Sequence, residues 1–322
     1  MGQDNDSSLE KAKELSSQAH DCLRKQDYEG ALALAKEIEA LRYSAAYEIA
    51  GLAHSAMGNT KLAVEALERG VKKVPEVWLN WELLGNCLSD LGRYDEAAAA
   101  YEHAHQCPHV SHSYVYLNQA ILAGRRGKHS EALANLDKVD DPSLRLGAAA
   151  TRIRALECLG NRSQAVALAE KILTDEVEDD KNGSLSYIAA ILGRMRLQLG
   201  QPKRQVRDSA FGALRHSRIS DELLSLIREI DNLSRPASQN YRLLIHVRMP
   251  KERQEPAGIK GYYVTYHVMA ESQEQALAFA REFEEWMGPC QLEVSKSEVI
   301  GKTAGGLLGV CFRSARSGYW AE

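Results

Sequence analysis

Four glycines, at 58, 92, 127 and 160, stand 34, 35 and 33 residues apart, each at the junction of two amphipathic runs. A near-constant period of this size confines a chain to repeat architectures. Each unit exposes an apolar face that only the next unit covers, so neighbours must stack. Pro75, Pro108 and Asp141-Pro142 punctuate the same units, because proline cannot continue a helical hydrogen-bond ladder.

The clearest unit is 78–104, WLNWELLGNCLSDLGRYDEAAAAYEHA. Trp81, Leu84, Gly85 and Leu88 share one helical face. After the turn at Gly92, Ala97, Tyr101 and Ala104 share another. Large groups thus alternate with small ones where two helices must approach. The preceding units repeat the order more faintly, with Ala12, Leu15, Ala19 and Leu23 before Ala31, Leu34, Ala35 and Ile38. Next come Tyr47, Ala50, Gly51 and His54 before Ala63 and Leu67. Two later units carry Tyr116, Ala120 and Ala123 before Ala132 and Leu136, and Ile153, Leu156 and Leu159 before Ala165 and Ala169. Over residues 9–216 this resembles the tetratricopeptide-repeat family.

That resemblance implies an α-solenoid whose first helices line a concave binding surface. By repeat register its exposed positions are Ala45, Glu48, Leu52 and Ser55, then Leu79, Glu82, Asn86 and Ser89. Tyr114, Leu117, Ile121 and Gly124 follow, then Ala150, Arg154 and Glu157. The set is mixed and moderately apolar, which suits a protein or peptide partner. Some members of the family grip a terminal carboxylate with lysine, asparagine and arginine from consecutive helices. Only Asn86 suggests that pattern here.

Beyond residue 174 the period slips. An acidic, polar stretch (174–183) precedes a sixth helix pair over 184–216 and a capping helix over 219–233. Residues 234–240 read as a linker, and periodicity then changes to alternation. Strands are expected at 241–249 and 262–269, and a helix follows to about residue 287. Two more strands are expected at 291–300 and 307–313, with a flexible loop at 301–306 between them. The expected organisation is a tail (1–8), a helical repeat domain (9–233), a linker, and a small α+β domain (241–322) of ββαββ order.

The chain carries 40 basic and 44 acidic side chains, a net charge of −4. That balance demands neither nucleic acid nor an anionic membrane as partner. The polar start is not a signal peptide and no run of 18 apolar residues occurs, so a cytoplasmic protein outside the membrane is expected. Six scattered cysteines without a C-x-x-C pair point to reduced thiols.

Several groups invite chemistry. His103, His105, Cys107, His109 and His112 form the densest set of metal-ligand types, but Pro108 interrupts it and the spacing fits no structural zinc site. The expectation is an inter-repeat corner, with no metal and no cofactor. Gly301-Lys302-Thr303 lacks the earlier glycine of a phosphate loop, since Lys296 stands there. Arg194, Arg196, Lys203, Arg204 and Arg207 form a basic run, read as a solvated face before a nucleic-acid site. Glu282, Glu284 and Glu285 read as a solvated helix face, and the Tyr262-Tyr263 and Tyr266-His267 pairs as sheet surface and core.

The leading expectation is a non-enzymatic adaptor that holds a protein or peptide in the solenoid groove, with a chaperone-like or toxin-neutralising role as one specialised version of it. Its α+β domain supplies a second contact or a homodimer through a strand edge. The rivals are an enzyme using His246, His267, Lys302 or Cys311, and nucleic-acid binding through 191–218.

Overall fold

The computed structural model describes residues 2–175, 183–213, 221–233, 235, 238–250, 260–286, 288–303, 306–314 and 317–320. Its contacts divide it into two compact units at the turn between Leu159 and Gly160. The boundary expected at 234–240 therefore falls inside the second unit.

The first unit is all helical. It contains α1 (Gly2–Arg24), α2 (Tyr28–Ala40), α3 (Ala45–Ala56), α4 (Thr60–Lys73), α5 (Trp78–Asp90), α6 (Tyr94–Gln106), α7 (His112–Arg125), α8 (His129–Leu136) and α9 (Arg145–Cys158). The first helix begins at Gly2, so the expected tail is helical in its backbone. Antiparallel partners pack in order, α1 on α2 through α7 on α8. The first helices also touch one another, α1 on α3, α3 on α5, α5 on α7 and α7 on α9. They form one continuous layer, as stacked repeats require.

The periodic glycines explain why each pair reverses. Gly58, Gly92, Gly127 and Gly160 have φ between 71° and 80°. A left-handed residue just past a helix lets the next amides turn back onto the last carbonyls. Arg93 N, for example, reaches Leu88 O at 2.9 Å.

Other glycines set the helix spacing. A Cβ on Gly51 would stand 2.7 Å from Leu67 Cγ, and one on Gly85 would stand 2.5 Å from Tyr101 Cε1. Tyr101 is fully buried with Leu84, Leu88 and Ala97 in the central core, so its ring has nowhere to retreat. Gly85→Ala is therefore expected to destabilise the first unit by about 1–3 kcal/mol, the usual range for overpacking. A denaturant midpoint unchanged from wild type would contradict that placement.

The second unit holds α10 (Arg162–Thr174), α11 (Ser184–Gln198), α12 (Lys203–Ala213) and α13 (Asp221–Asp231). Then come β1 (Ser238–Arg248), β2 (Gly261–Ala270), α14 (Gln273–Trp286), β3 (Gln291–Thr303), β4 (Gly309–Arg313) and β5 (Ser317–Trp320). The expected ββαββ order is present, with β5 added on β2. The sheet runs β3-β1-β2-β4, all pairs antiparallel. Alternation puts Leu243, Ile245 and Val247 of β1 beside Tyr262, Val264 and Tyr266 of β2 on one buried face.

A single core joins this face to Ala276, Ala280 and Phe283 of α14, Phe211 of α12, and Leu223, Leu226 and Ile227 of α13. The last helices of the repeat region and the sheet thus share one apolar interior. Phe211 packs between Phe283 and Trp286, at ring separations of 4.9 and 5.4 Å.

Inside that core lies a buried ion pair. Glu284 is only 1% exposed, which corrects the expectation of a solvated face. Its carboxylate accepts from Tyr262 Oη at 2.6 Å, Tyr266 Oη at 2.5 Å and Arg313 Nη2 at 2.7 Å. Glu282 pairs with Arg207 at 2.8 Å, and only Glu285 is exposed as expected.

A second correction concerns 301–306. Gly301, Lys302 and Thr303 continue β3 and pair with Asn240, Gln239 and Ser238, so they form strand rather than the start of a flexible loop. Leu214 and the charged residues Arg215 and Arg218 lie outside the described residues.

Candidate protein-binding face

The layer of first helices in the first unit is where the repeat register places a partner. Its residues divide into a polar floor and an apolar row.

The floor is built around Glu82 of α5. Glu82 is 5% exposed, whereas the sequence placed it on the open surface. Asn86 Nδ2 donates to its Oε1 at 2.7 Å, and Asn118 Nδ2 of α7 donates to the same oxygen. Asn86 Oδ1 in turn accepts from Tyr101 Oη at 2.7 Å. Both Glu82 and Asn86 are thus held by bonds within the chain itself. Burial raises the Glu82 carboxyl to about 7. The two amide donors oppose the shift, and the neighbouring Glu48 adds to it.

Two more polar links tie the layer together. His20 Nε2 of α1 lies 3.2 Å from Glu48 Oε1 of α3. Arg125 of α7 donates to Ser89 Oγ at 2.9 Å and to Asp90 Oδ1 at 2.6 Å on α5. The sequence reading missed Asn118, Arg125 and His20. A signal existed: Asn118 and Arg125 each stand 36 residues after their partners, about one repeat.

The apolar row lies beside this floor. Tyr114 is 42% exposed and Ile121 37%, large values for such side chains, and Leu52, Leu79 and Leu117 are half-buried. Leu117 points towards α9, where a Cβ on Gly147 would meet its Cδ2 at 3.5 Å. Further along, Arg154 bonds Glu157 on its own helix at 2.7 Å.

The other singled-out groups fall elsewhere. Arg194 pairs with Glu222 and Glu229 at 3.0 and 2.9 Å, Arg196 with Glu170 at 2.8 Å, and Arg207 with Asp231 at 2.6 Å. Lys203 and Arg204 are exposed. Three of the five basic groups are therefore neutralised within the chain. Of the enzymatic candidates, His246 stacks on Tyr263 and His267 lies against Phe312. Burial and the nearby Arg242 both lower the His267 pKa. Burial raises the Cys311 thiol despite Arg228 Nη1 at 3.3 Å, the wrong direction for a nucleophile. The Lys302 side chain lies outside the described residues. All six cysteines are free thiols.

No family model matches the chain, and no curated protein matches it in sequence. Solved structures do. A tetratricopeptide repeat protein from Parabacteroides merdae matches with a TM-score of 0.56 and 16% identity, over 69% of this chain and 84% of that one. The helical part of this chain has the fold of a tetratricopeptide-repeat array. Pseudomonas aeruginosa PilF matches with a TM-score of 0.52 and 15% identity, over 69% of this chain and 99% of that one. PilW, a type IV pilus biogenesis factor, gives 0.54 and 16%, over 67% and 98%. At such identities the repeats share a fold with these proteins. Among the described residues, no helix is long and apolar enough to cross a membrane.

Proposed function

We propose that the first unit is a protein-binding module that receives an apolar stretch of a partner chain along its first helices. Tetratricopeptide-repeat arrays are, as an architecture, protein-interaction scaffolds. The observation that carries the finer reading is the row Leu79, Tyr114, Leu117 and Ile121, left partly open beside a polar floor tied together by bonds within the chain. A partner gains by covering the row, while the floor holds the helices in register beneath it. Glu48, Leu52, Arg154 and Glu157 extend the same face at its two ends.

The pairing of Arg194, Arg196 and Arg207 with carboxylates favours a protein over a nucleic acid. A homodimer through β3 finds less support. That edge carries two register shifts together with Glu293, Lys296 and Glu298, features that blunt strand addition.

The test is affinity capture from the native cell extract with the full chain. Leu117→Asp combined with Ile121→Asp is expected to abolish capture of the partner, while Lys61→Glu on the second-helix side leaves it intact. Equal capture by all three proteins, each confirmed as folded by circular dichroism, would remove the proposal.

A further inference from the structure

The contact between α5 and α7 is built on a carboxyl group that no cation balances. Glu82 is 5% exposed, and Asn86 Nδ2 and Asn118 Nδ2 both donate to its Oε1. Among the described residues no lysine, arginine or histidine stands among its partners.

The charged and titratable groups on the surrounding helices are committed elsewhere. From α3 comes Glu48, held by His20 of α1 at 3.2 Å, and its charge opposes ionisation of Glu82. The inward face of α4 is uncharged, with Ala63, Val64, Ala66, Leu67 and Gly70. From α6 comes Tyr101, whose hydroxyl bonds Asn86 and is kept protonated by burial and by Glu82. From α7 come Asn118 and, two turns further on, Arg125, which is held by Ser89 and Asp90. On α5 itself burial raises the Cys87 thiol to about 11. An ionised Glu82 thus meets two amides and no counter-charge in a site closed to water. Admitting water between the helices relieves that cost.

The same contact sits within the apolar row. Leu79 stands three residues before Glu82 on α5. On α7, Tyr114 stands four before Asn118 and Ile121 three after it, so all three flank the bond on their helix faces. Separating α5 from α7 therefore divides the row.

We propose that Glu82 is a proton-operated latch. Protonated, it closes α5 on α7 through Asn118; ionised, it draws water between the two helices and loosens them. The carboxyl titrates near 7 when closed and near its usual 4.5 once hydrated. The closed form is thus fully favoured below about pH 4.5 and loses that advantage as pH rises through 7. The Arg125 bonds to Ser89 and Asp90 still tie the two helices, so the loosening is local. Resting on the binding reading above, the latch keeps the row continuous in acid and divides it in alkali.

The side-chain amide of Asn118 reports the latch directly, because its hydrogens exchange with solvent once the bond to Glu82 opens. Nuclear magnetic resonance of the full chain with labelled asparagine measures that exchange without a partner. After division by the intrinsic rate at each pH, Asn118 protection is expected to fall by up to about 70-fold from pH 5 to pH 8. Asn86, on the same helix as Glu82 and bonded to Tyr101, is expected to fall less. In Glu82→Gln the Asn118 fall is expected to vanish, and in His20→Gln to persist. Equal Asn118 protection at the two pH values would overturn the latch. So would equal falls at Asn86 and Asn118, which would mean that the repeat unfolds as a whole. A fall lost in His20→Gln would assign the effect to the imidazole instead. A Glu82 carboxyl resonance titrating near 4.5 in the unmutated chain would also overturn it, and that measurement needs no variant to fold. Failure of affinity capture leaves these readouts untouched, so the latch and the binding reading fail separately.

Discussion

Glu284→Ala is expected to destabilise the second unit by about 3–5 kcal/mol, the range for stripping one partner from a buried ion pair. Arg313 would keep its charge in a core that, among the described residues of this unit, holds no other buried carboxylate, and Tyr262 and Tyr266 would lose the acceptor of both hydroxyls. The comparison that isolates the mechanism is Glu284→Leu with Arg313→Met. Removing both charges at similar volume is expected to be far less harmful, or even neutral. Urea unfolding of the three proteins measures this. Equal midpoints for Glu284→Ala and wild type would mean that the pair is open to water after all. Because the core is shared, the loss is expected to reach α12 and α13 as well as the sheet.

Glu82→Gln is expected to act in the opposite direction, with an advantage that grows from about pH 4.5 to about pH 7 and is full above that. The Glu82 carboxyl titrates near 7 in the folded chain and near its usual 4.5 when unfolded. Between these values the folded state holds a proton that the unfolded state has released. Stability from this group is therefore complete below about pH 4.5 and is lost as pH rises through 7. The span corresponds to a loss on the order of 3 kcal/mol by pH 8. Glutamine keeps an acceptor for Asn86 and Asn118 without the charge. Wild type and variant are expected to unfold at similar urea concentrations at pH 5, and the variant later at pH 8. An identical pH dependence for the two proteins would show that Glu82 is not the group responsible.

The repeats were legible because their physics is local and periodic. Gly58, Gly92, Gly127 and Gly160 mark turns by spacing alone, and Gly85 opposite Tyr101 marks a close helix approach by size. The apolar row was legible too, since Leu79, Tyr114, Leu117 and Ile121 follow from register. The polar floor was not. Glu82 looks like any solvent-facing acid until α7 brings Asn118 over it. Nor does anything near Glu284 in the chain announce a buried charge, because its partner Arg313 lies 29 residues away on β4. The histidines at 105 and 112 were visible as a cluster, yet only the turn into α7 separates the pair that meets from those that do not.

By itself, then, the sequence determined the helix pairs, their stacking order and the change to a sheet, all set by period, turn residues and residue size. Tertiary structure decided where one unit ends and the next begins, which charges are solvated, and which polar groups on the layer of first helices bond within the chain. Burial and pairing depend on distant segments that fix each group's dielectric surroundings and supply its partner, and neither is encoded within a single repeat.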